Sequence, residues 1–288
     1  MLRSAVYRSS IYRPSTQTCQ GVARPVQSGA MTTSRLWDRA ALVPAGPERR
    51  LPAVNSLPAT LPTVAELFEF MRDAELRFET LRMRIEERTF AARGEQVIAM
   101  DVSVQHRGHA RVTTTEPDRG TAGNFELWIS DGETIQTYSG THRLGTSRPI
   151  RNRPRGLDAG FPGSARVYEP LTPLPLETLP ELFVHPAGYC QNVLATGRTW
   201  LSGTDIVAGR EAIVLECDHP RTIERVADRP DFHIQVAIDR AEGIITRLVE
   251  TIGGDVTREA VVTTLEPDTA LAPGTFDFDF PDGTTMLF

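Results

Sequence analysis

Alternating apolar and polar positions dominate the chain from residue 80 onward. Ile98, Met100, Val102 and Val104 occupy every second position of one stretch, which is the period of a half-buried strand. Turn-forming pairs such as Asp131-Gly132 separate stretches of this kind. The pattern predicts about eleven strands, joined mostly in sequence and therefore antiparallel. They fall near residues 81–86, 98–105, 111–115, 125–129, 134–138, 200–207, 211–217, 233–238, 244–252, 256–265 and 276–280.

One amphipathic helix precedes the strands. Thr63 and Glu66 have the spacing of a capping box, and Val64, Leu67, Phe68 and Met71 then follow at helical spacing. This pattern predicts a helix over 63–78. Two short helices are predicted near 176–183 and 186–195. A sheet of this size must curl, and the helices must cover its concave face. Incomplete filling would leave an apolar hollow, which commonly holds an apolar ligand.

The flanking segments have a different composition. Residues 1–62 are rich in Arg, Ser, Thr, Pro and Ala without a sustained period, and we expect them to be disordered or loosely attached. Residues 63–288 are expected to form the folded domain.

A long basic loop is predicted over 140–165. Its arginines suit contact with lipid headgroups or an acidic protein partner, with a merely solvated loop as the alternative. They are Arg143, Arg148, Arg151, Arg153 and Arg155.

Four short motifs, taken in order, resemble the LolA/LolB-like lipoprotein carrier superfamily, which includes the periplasmic sigma-regulator RseB. The first is Trp128 to Glu133 followed by Tyr138. The others are the hairpin Val207 to Ala212, the turn Val236 to Ile244, and the closing run Phe276 to Gly283. The resemblance covers about residues 63–288. It implies an α+β fold, a LolA-like unclosed barrel of eleven antiparallel strands with a helical lid and a hydrophobic cavity for acyl chains.

The function indicated is non-catalytic binding of a lipid or a lipid-modified protein in this cavity. The residues expected to line it are apolar positions of the helix and the strands: Phe68, Met71, Met100, Val102, Phe125, Leu127, Val236, Phe276 and Phe278. The alternative is an RseB-like sensor or interaction module that contacts an acidic protein partner through the basic loop. Either role allows transient contact with a membrane. The sequence does not indicate an oligomeric state.

Composition narrows the classes of partner and compartment. The formal net charge of −6 argues against nucleic-acid binding. All 31 basic residues are arginine, which suggests a GC-rich, actinobacterial genome. Of the three cysteines, Cys190 and Cys217 are expected to be free and partly buried, with a disulfide between them as the alternative. No export signal or apolar span is evident, which predicts a cytoplasmic location. The resemblance implies an extracytoplasmic one.

No constellation of residues indicates an enzyme or a cofactor. His106 and His109 supply two ligands at most, whereas zinc needs three or four. Cys190 near His185 invites a nucleophile hypothesis, but nothing nearby lowers its pKa, and a structural cysteine is the commoner case. Asp277 and Asp279 alternate with phenylalanines and are expected to face water. The sequence therefore predicts neither a catalytic residue nor a metal site nor a cofactor.

Overall fold

A computed structural model describes residues 51–92, 94–117, 124–150, 170–220 and 231–287. These residues form one sheet of twelve strands in the order β12-β6-β5-β4-β3-β2-β1-β11-β10-β9-β8-β7. Every neighbouring pair is antiparallel except β12 with β6. Among the described residues nothing pairs with the outer edges of β12 and β7, so the sheet does not close on itself. The predicted fold class, an unclosed antiparallel barrel with a helical lid, is confirmed.

The helices occur at two places in the chain, before the first strand and between the sixth and seventh strands. The helices are α1 (Val64–Arg72), α2 (Leu179–Val184) and α3 (Ala187–Asn192), with 3-10 turns at Ala74–Leu76 and Leu194–Thr196. The strands before α2 are β1 (Thr80–Ala91), β2 (Gly94–Gln105), β3 (His109–Thr115), β4 (Phe125–Asp131), β5 (Thr134–Ser139) and β6 (Leu144–Pro149). Those after α3 are β7 (Arg198–Val207), β8 (Arg210–Asp218), β9 (Phe232–Asp239), β10 (Ile245–Ile252), β11 (Asp255–Pro267) and β12 (Thr285–Leu287).

Helix α1 begins as predicted and ends earlier. The Thr63 hydroxyl accepts a hydrogen bond from the Glu66 backbone N–H at 3.2 Å, and the Glu66 carboxylate accepts one from the Thr63 backbone N–H at 2.7 Å. This is the predicted capping box. The α-helix stops at Asp73, whose carboxylate accepts a hydrogen bond from the Ala53 N–H at 2.9 Å. Aspartate is a poor helix former, and here its side chain holds the preceding segment.

Residues 51–62 lie against the domain in an extended path. Arg77 donates hydrogen bonds to the carbonyls of Val54 and Glu242, so it joins this segment to the turn after β9. Arg240 donates to the carbonyls of Pro58 and Thr60. The sequence places these residues in the tail that begins at residue 1, whose first 50 residues lie outside the described part of the chain.

The helices fill part of the concave face. In register, Met83 of β1 faces Val102 of β2, and Val102 faces Val112 of β3, so their side chains share this inner face. Leu67 and Met71 of α1 are fully buried against it, in one core with the inner residues of β8 to β11. Burying a side chain of this size contributes about 1.5–3 kcal/mol to stability. The core therefore fixes the helices on the inner side of the sheet.

The predicted last strand over 276–280 is wrong. Residues 273–276 form a turn, and 277–280 carry no strand pairing; the last strand is β12 instead. The phenylalanines of this run lie on the outer face of β4 and β5, as described below. An extended segment lying on a surface alternates buried and exposed residues as a strand does, so periodicity alone does not separate the two.

Strand β6 was not predicted from the sequence. Its residues fall inside the expected basic loop, because Leu144–Pro149 lacks the alternation of a half-buried strand. Its backbone nevertheless pairs with β5 over six residues. Tertiary pairing overrides the weak local preference here.

Candidate ligand-binding cavity

A cavity of about 430 Å³ lies on the inner face of β1 to β5, beyond the area that the helices fill. This volume is within the range of ~300–1,000 Å³ that is typical of ligand pockets. The register explains its wall. Ile85 faces Met100, Met100 faces Thr114, and Thr114 faces Glu126 across successive strands. One row later, Val112 faces Trp128. Two adjacent rows of inner-face side chains thus form the wall.

A proline-rich segment forms the opposite side of the cavity. Pro175, Thr178, Leu179 and Pro180 line it. The Thr178 hydroxyl donates a hydrogen bond to the Pro175 carbonyl at 2.6 Å, which closes a tight turn directly before α2. Glu177 within this turn has a φ of 60° and is exposed at the mouth of the cavity. Proline near the first turn of a helix leaves no hydrogen bond unmade, so α2 begins here without cost.

The lining combines a mostly apolar surface with a few polar groups. Its apolar members include Met100, which is 5% exposed, and the half-buried Trp128. Such a surface favours an apolar ligand with a small polar part. The lining residues in the described ranges are Glu87, Ile98, Met100, Val112, Thr114, Glu126, Leu127, Trp128, Thr137, Pro175, Glu177, Thr178, Leu179, Pro180 and Arg258.

The cation in this lining is paired with acids from two other strands. Arg258 Nε lies 2.6 Å from Glu87 Oε1, and its Nη1 lies 3.6 Å from Glu250 Oε1. Burial lowers the pKa of Arg258, and the carboxylates of Glu87 and Glu250 raise it by more, so the net shift is upward. The guanidinium is therefore charged at all accessible pH values and is engaged by these two acids.

A buried phenol lies near this ion cluster. The Tyr189 hydroxyl has no hydrogen-bond partner in the part of the chain that the structure describes. Burial raises its pKa well above the ordinary value, and the negative charge of Glu250 adds to the shift. The rest of the Tyr189 side chain is half-buried against the main core. The phenol is therefore neutral.

The structure brings two of the nine predicted lining residues to this cavity, namely Met100 and Leu127. Leu127 lies on β4 between Glu126 and Trp128, and it also belongs to an apolar cluster on the outer face with Ile129 and Tyr138. Four others, Phe68, Met71, Val102 and Val236, belong to or pack against the main core between helices and sheet. The cavity lies on the same inner face as this group.

The remaining three, Phe125, Phe276 and Phe278, lie on the outer face. Phe125 and Phe278 pack on Leu127, Ile129 and Tyr138, and the rings of Tyr138 and Phe278 are 5.6 Å apart. The ring of Phe276 lies 5.5 Å from that of His109. The C-terminal phenylalanines therefore cover the back of the cavity wall. Asp277 and Asp279 are exposed, as expected.

Sequence reasoning did not identify the charged lining residues. Glu87 and Arg258 are 171 positions apart and meet through the β1–β11 pairing. One signal was available: both residues interrupt an otherwise apolar inner face near the end of a strand. Glu126 and Glu177 carried no sequence signal.

The predicted basic surface is described only in part. Arg143 and Arg148 are exposed at β6 and the turn before it. Arg151, Arg153 and Arg155 lie outside the described residues. Cys190 and Cys217 are both free and buried, as the sequence favours. Burial raises the pKa of Cys190 to about 12 and that of Cys217 to about 11, which makes both thiols unreactive nucleophiles.

The described ranges contain neither a cluster of metal ligands nor a helix that could span a membrane. Those ranges contain no group of three or more histidine, cysteine or acidic side chains placed to hold a metal ion. Within the same ranges, no helix combines the length and the apolar character needed to cross a membrane.

No protein-family model and no curated protein matches the chain. Several solved structures are similar to it at low identity. The Pseudomonas aeruginosa MucA/MucB complex has 16% identity and a TM-score of 0.43, covering 75% of this chain and 60% of that chain. A LolA superfamily protein from Nitrosomonas europaea has 12% identity and a TM-score of 0.30, covering 77% of this chain and 100% of its own.

The lipoprotein LppX from Mycobacterium tuberculosis has 12% identity and a TM-score of 0.35, covering 70% of this chain and 94% of its own. The chain spans 62% of the length of MucB in a further crystal structure. One of these similar structures, the protein from Nitrosomonas europaea, thus belongs to the superfamily that the sequence motifs resemble. At this distance the likeness assigns no ligand and no residue role.

Proposed function

We propose that the protein binds an amphiphile with a single acyl or alkyl chain in the cavity between β1–β5 and the segment 175–180. The observation that carries this proposal is the cavity itself, with its largely apolar lining and its two exposed glutamates, Glu126 and Glu177. Binding requires no catalytic residue, because transferring a methylene from water to an apolar site contributes about 0.8 kcal/mol.

The volume favours one chain over several. A methylene occupies about the volume of one water in the liquid, ~30 Å³. Dividing the 430 Å³ of the cavity by this figure gives room for roughly 14 carbons. The three chains of a triacylated protein anchor, each of similar length, exceed this volume. The proposed ligands are therefore limited to amphiphiles with one chain.

Tryptophan fluorescence tests the proposal because the described tryptophans lie on opposite faces of the sheet. Trp128 lines the cavity. Trp200 pairs in register with Glu216, on the face opposite to Leu201 and the core. Dodecyl maltoside brominated on the chain carbons nearest its head, used below its critical micelle concentration, is expected to quench Trp128 saturably. Bromine quenches only at short range, so the signal reports entry into the cavity.

Two matched variants separate cavity binding from adsorption to the surface. With Trp128→Phe, the saturable quenching is expected to disappear, whereas Trp200→Phe is expected to retain it. Equal quenching in both variants would show that the chain adsorbs elsewhere and would contradict the proposal. Native mass spectrometry of the unmodified protein with the same ligand gives the stoichiometry, for which we expect one chain per protein.

A second candidate function is contact with an acidic protein partner through the basic segment, favoured by the exposure of Arg143 and Arg148. A crystal structure shows MucB in complex with MucA(peri). That complex is a finding about MucB and is not carried over to this chain. Pull-down with the wild type and with a variant carrying Arg143→Ala, Arg148→Ala, Arg151→Ala, Arg153→Ala and Arg155→Ala tests this candidate. Loss of specific partners would support it, and unchanged partners would contradict it.

A further inference from the structure

The charges around the cavity are strongly unequal. The described lining contains three carboxylates, from Glu87, Glu126 and Glu177, and one guanidinium, from Arg258. Arg258 is already engaged by Glu87 within the lining and by Glu250 behind it. The positive charge is therefore neutralised twice over, and the local excess is negative.

The two remaining carboxylates lie at the mouth. Glu126 and Glu177 are both exposed, and they come from opposite sides of the cavity, one from β4 and the other from the turn before α2. Among the described residues, no basic side chain lies within salt-bridge distance of either. Glu126 accepts a hydrogen bond from the Ser139 hydroxyl at 2.6 Å, which directs its Oε1 toward β5. Its second oxygen is available to a ligand.

We propose that the amphiphile bound in this cavity carries a cationic head, such as a primary or quaternary ammonium, held at the mouth by Glu126 and Glu177. This inference rests on the proposed function and names the class of ligand for that site. The alkyl chain lies along Ile98, Met100 and Val112, and the head remains near the solvent. Partial exposure allows the ammonium to keep part of its hydration, so its desolvation cost stays low.

An aromatic ring and two hydroxyls complete the recognition of such a head. Trp128 lines the same cavity as the acids, and an ammonium over an indole face gains about 0.5–2 kcal/mol. Thr114 and Thr137 lie on the strands beside β4 in the same lining, and their hydroxyl oxygens can accept hydrogen bonds from the N–H groups of a primary ammonium. The Thr137 hydroxyl is also hydrogen-bonded to that of Thr146, at 2.6 Å. An anionic head finds the opposite environment, because two carboxylates repel it at the mouth.

Three amphiphiles with one chain and different heads test the inference. Dodecylammonium, dodecanoate and dodecyl maltoside are titrated below their critical micelle concentrations, with displacement of the brominated dodecyl probe from Trp128 as the measurement. At low ionic strength dodecylammonium is expected to bind at least about tenfold more tightly than dodecanoate, because each exposed charge pair changes affinity by a few-fold. The difference should shrink at high salt, since ions screen exposed charges.

Charge-removing variants locate the effect. Glu126→Gln and Glu177→Gln are each expected to reduce the preference for dodecylammonium by about two- to fivefold, and the double variant to nearly abolish it. Binding of the neutral maltoside should change much less than that of dodecylammonium, because its head carries no charge for the two carboxylates to attract. Glu133→Gln, an exposed glutamate on the hairpin between β4 and β5 and outside the lining, is the matched control and should retain the full preference.

The outcomes separate this inference from the function on which it rests. If none of the three amphiphiles displaces the probe from Trp128, the proposed function fails. If all three bind alike, the chain-binding function stands and the cationic head is refuted. Tighter binding of dodecanoate also refutes it, and loss of that binding in Arg148→Gln would assign the head site to β6 instead.

Discussion

Enlarging the cavity by a known amount tests the match between its volume and the length of the chain that it binds. Ile98 lies in the lining and is half-buried. Ile98→Ala removes three carbons, which adds about 90 Å³ at ~30 Å³ per carbon-sized group. Affinity in the wild type should rise about fourfold per added methylene, from ~0.8 kcal/mol each. The rise should end near 14 carbons, where the 430 Å³ of the cavity is filled.

In Ile98→Ala, affinity should continue to increase with chain length for about three more carbons than in the wild type. Short chains should bind this variant more weakly, because they leave a void in the enlarged cavity. The assay is displacement of the brominated probe by alkylammonium ions of eight to eighteen carbons, below their critical micelle concentrations. Ile206→Ala is the matched control, because Ile206 is 66% exposed on β7 and lies outside the lining. In Ile206→Ala, affinity should stop increasing at the same chain length as in the wild type.

Two results would refute this reasoning. A limit that stays in place in Ile98→Ala would show that the chain does not occupy the cavity next to Ile98. A rise that continues unchanged to eighteen carbons in the wild type would show that the chain lies along an open surface. A urea unfolding curve for each variant confirms that the comparison is made between folded proteins. Ile98→Ala should lower the free energy of unfolding by less than the ~2–5 kcal/mol that is usual when a fully buried isoleucine is replaced by alanine. The reason is that Ile98 is only half-buried.

Three further predictions concern the scaffold. Burial lowers the pKa of His106 to about 4 from an unfolded value near 6.5. The unfolded chain therefore binds a proton that the native state excludes, and stability should fall as pH drops from 6.5 to 4, by up to about 3 kcal/mol. Chemical unfolding of His106→Gln should show less of this loss, whereas His142→Gln should retain it. Gly145→Ala would place a methyl group 2.6 Å from the Phe280 ring, so it should lose about 1–3 kcal/mol and expose the C-terminal segment to proteolysis; Gly188→Ala, with nothing within 4 Å, should do neither. Thiol reagents at pH 8 should modify Cys190 and Cys217 no faster than the native state opens, as mass spectrometry over time would show; rapid labelling would contradict their burial.

Much of the local structure was predictable because it is encoded by neighbouring residues. The strands around Met100, Val236 and Leu248 follow from alternation over a few positions, and the start of α1 follows from Thr63 and Glu66 alone. The predictions failed where a segment is defined by what it packs on. Strand β6 has no alternation of its own, and the run 276–280 alternates without being a strand.

The candidate site was less predictable than the fold. A period of two separates the faces of a strand but does not say which of them faces the hollow. Phe125 was therefore expected inside, although on β4 the inner face is that of Glu126 and Trp128, because these two residues pair with Thr114 and Val112 of β3. Register across several strands decides this, and it is a property of the assembled sheet.

The sequence by itself determined ten of the twelve strands and their antiparallel connection, the cap of α1 and the exposure of Asp277 and Asp279, because each follows from short-range pattern and connection length. Tertiary structure alone decided that Phe278 covers the back of the wall, that Glu87, Glu250 and Arg258 meet, and that Glu126 and Glu177 line one cavity. The physical reason is distance along the chain. The charged cluster and the cavity wall are formed by residues up to 171 positions apart, which meet only because strands distant in the chain, such as β1 and β11, pair in the sheet.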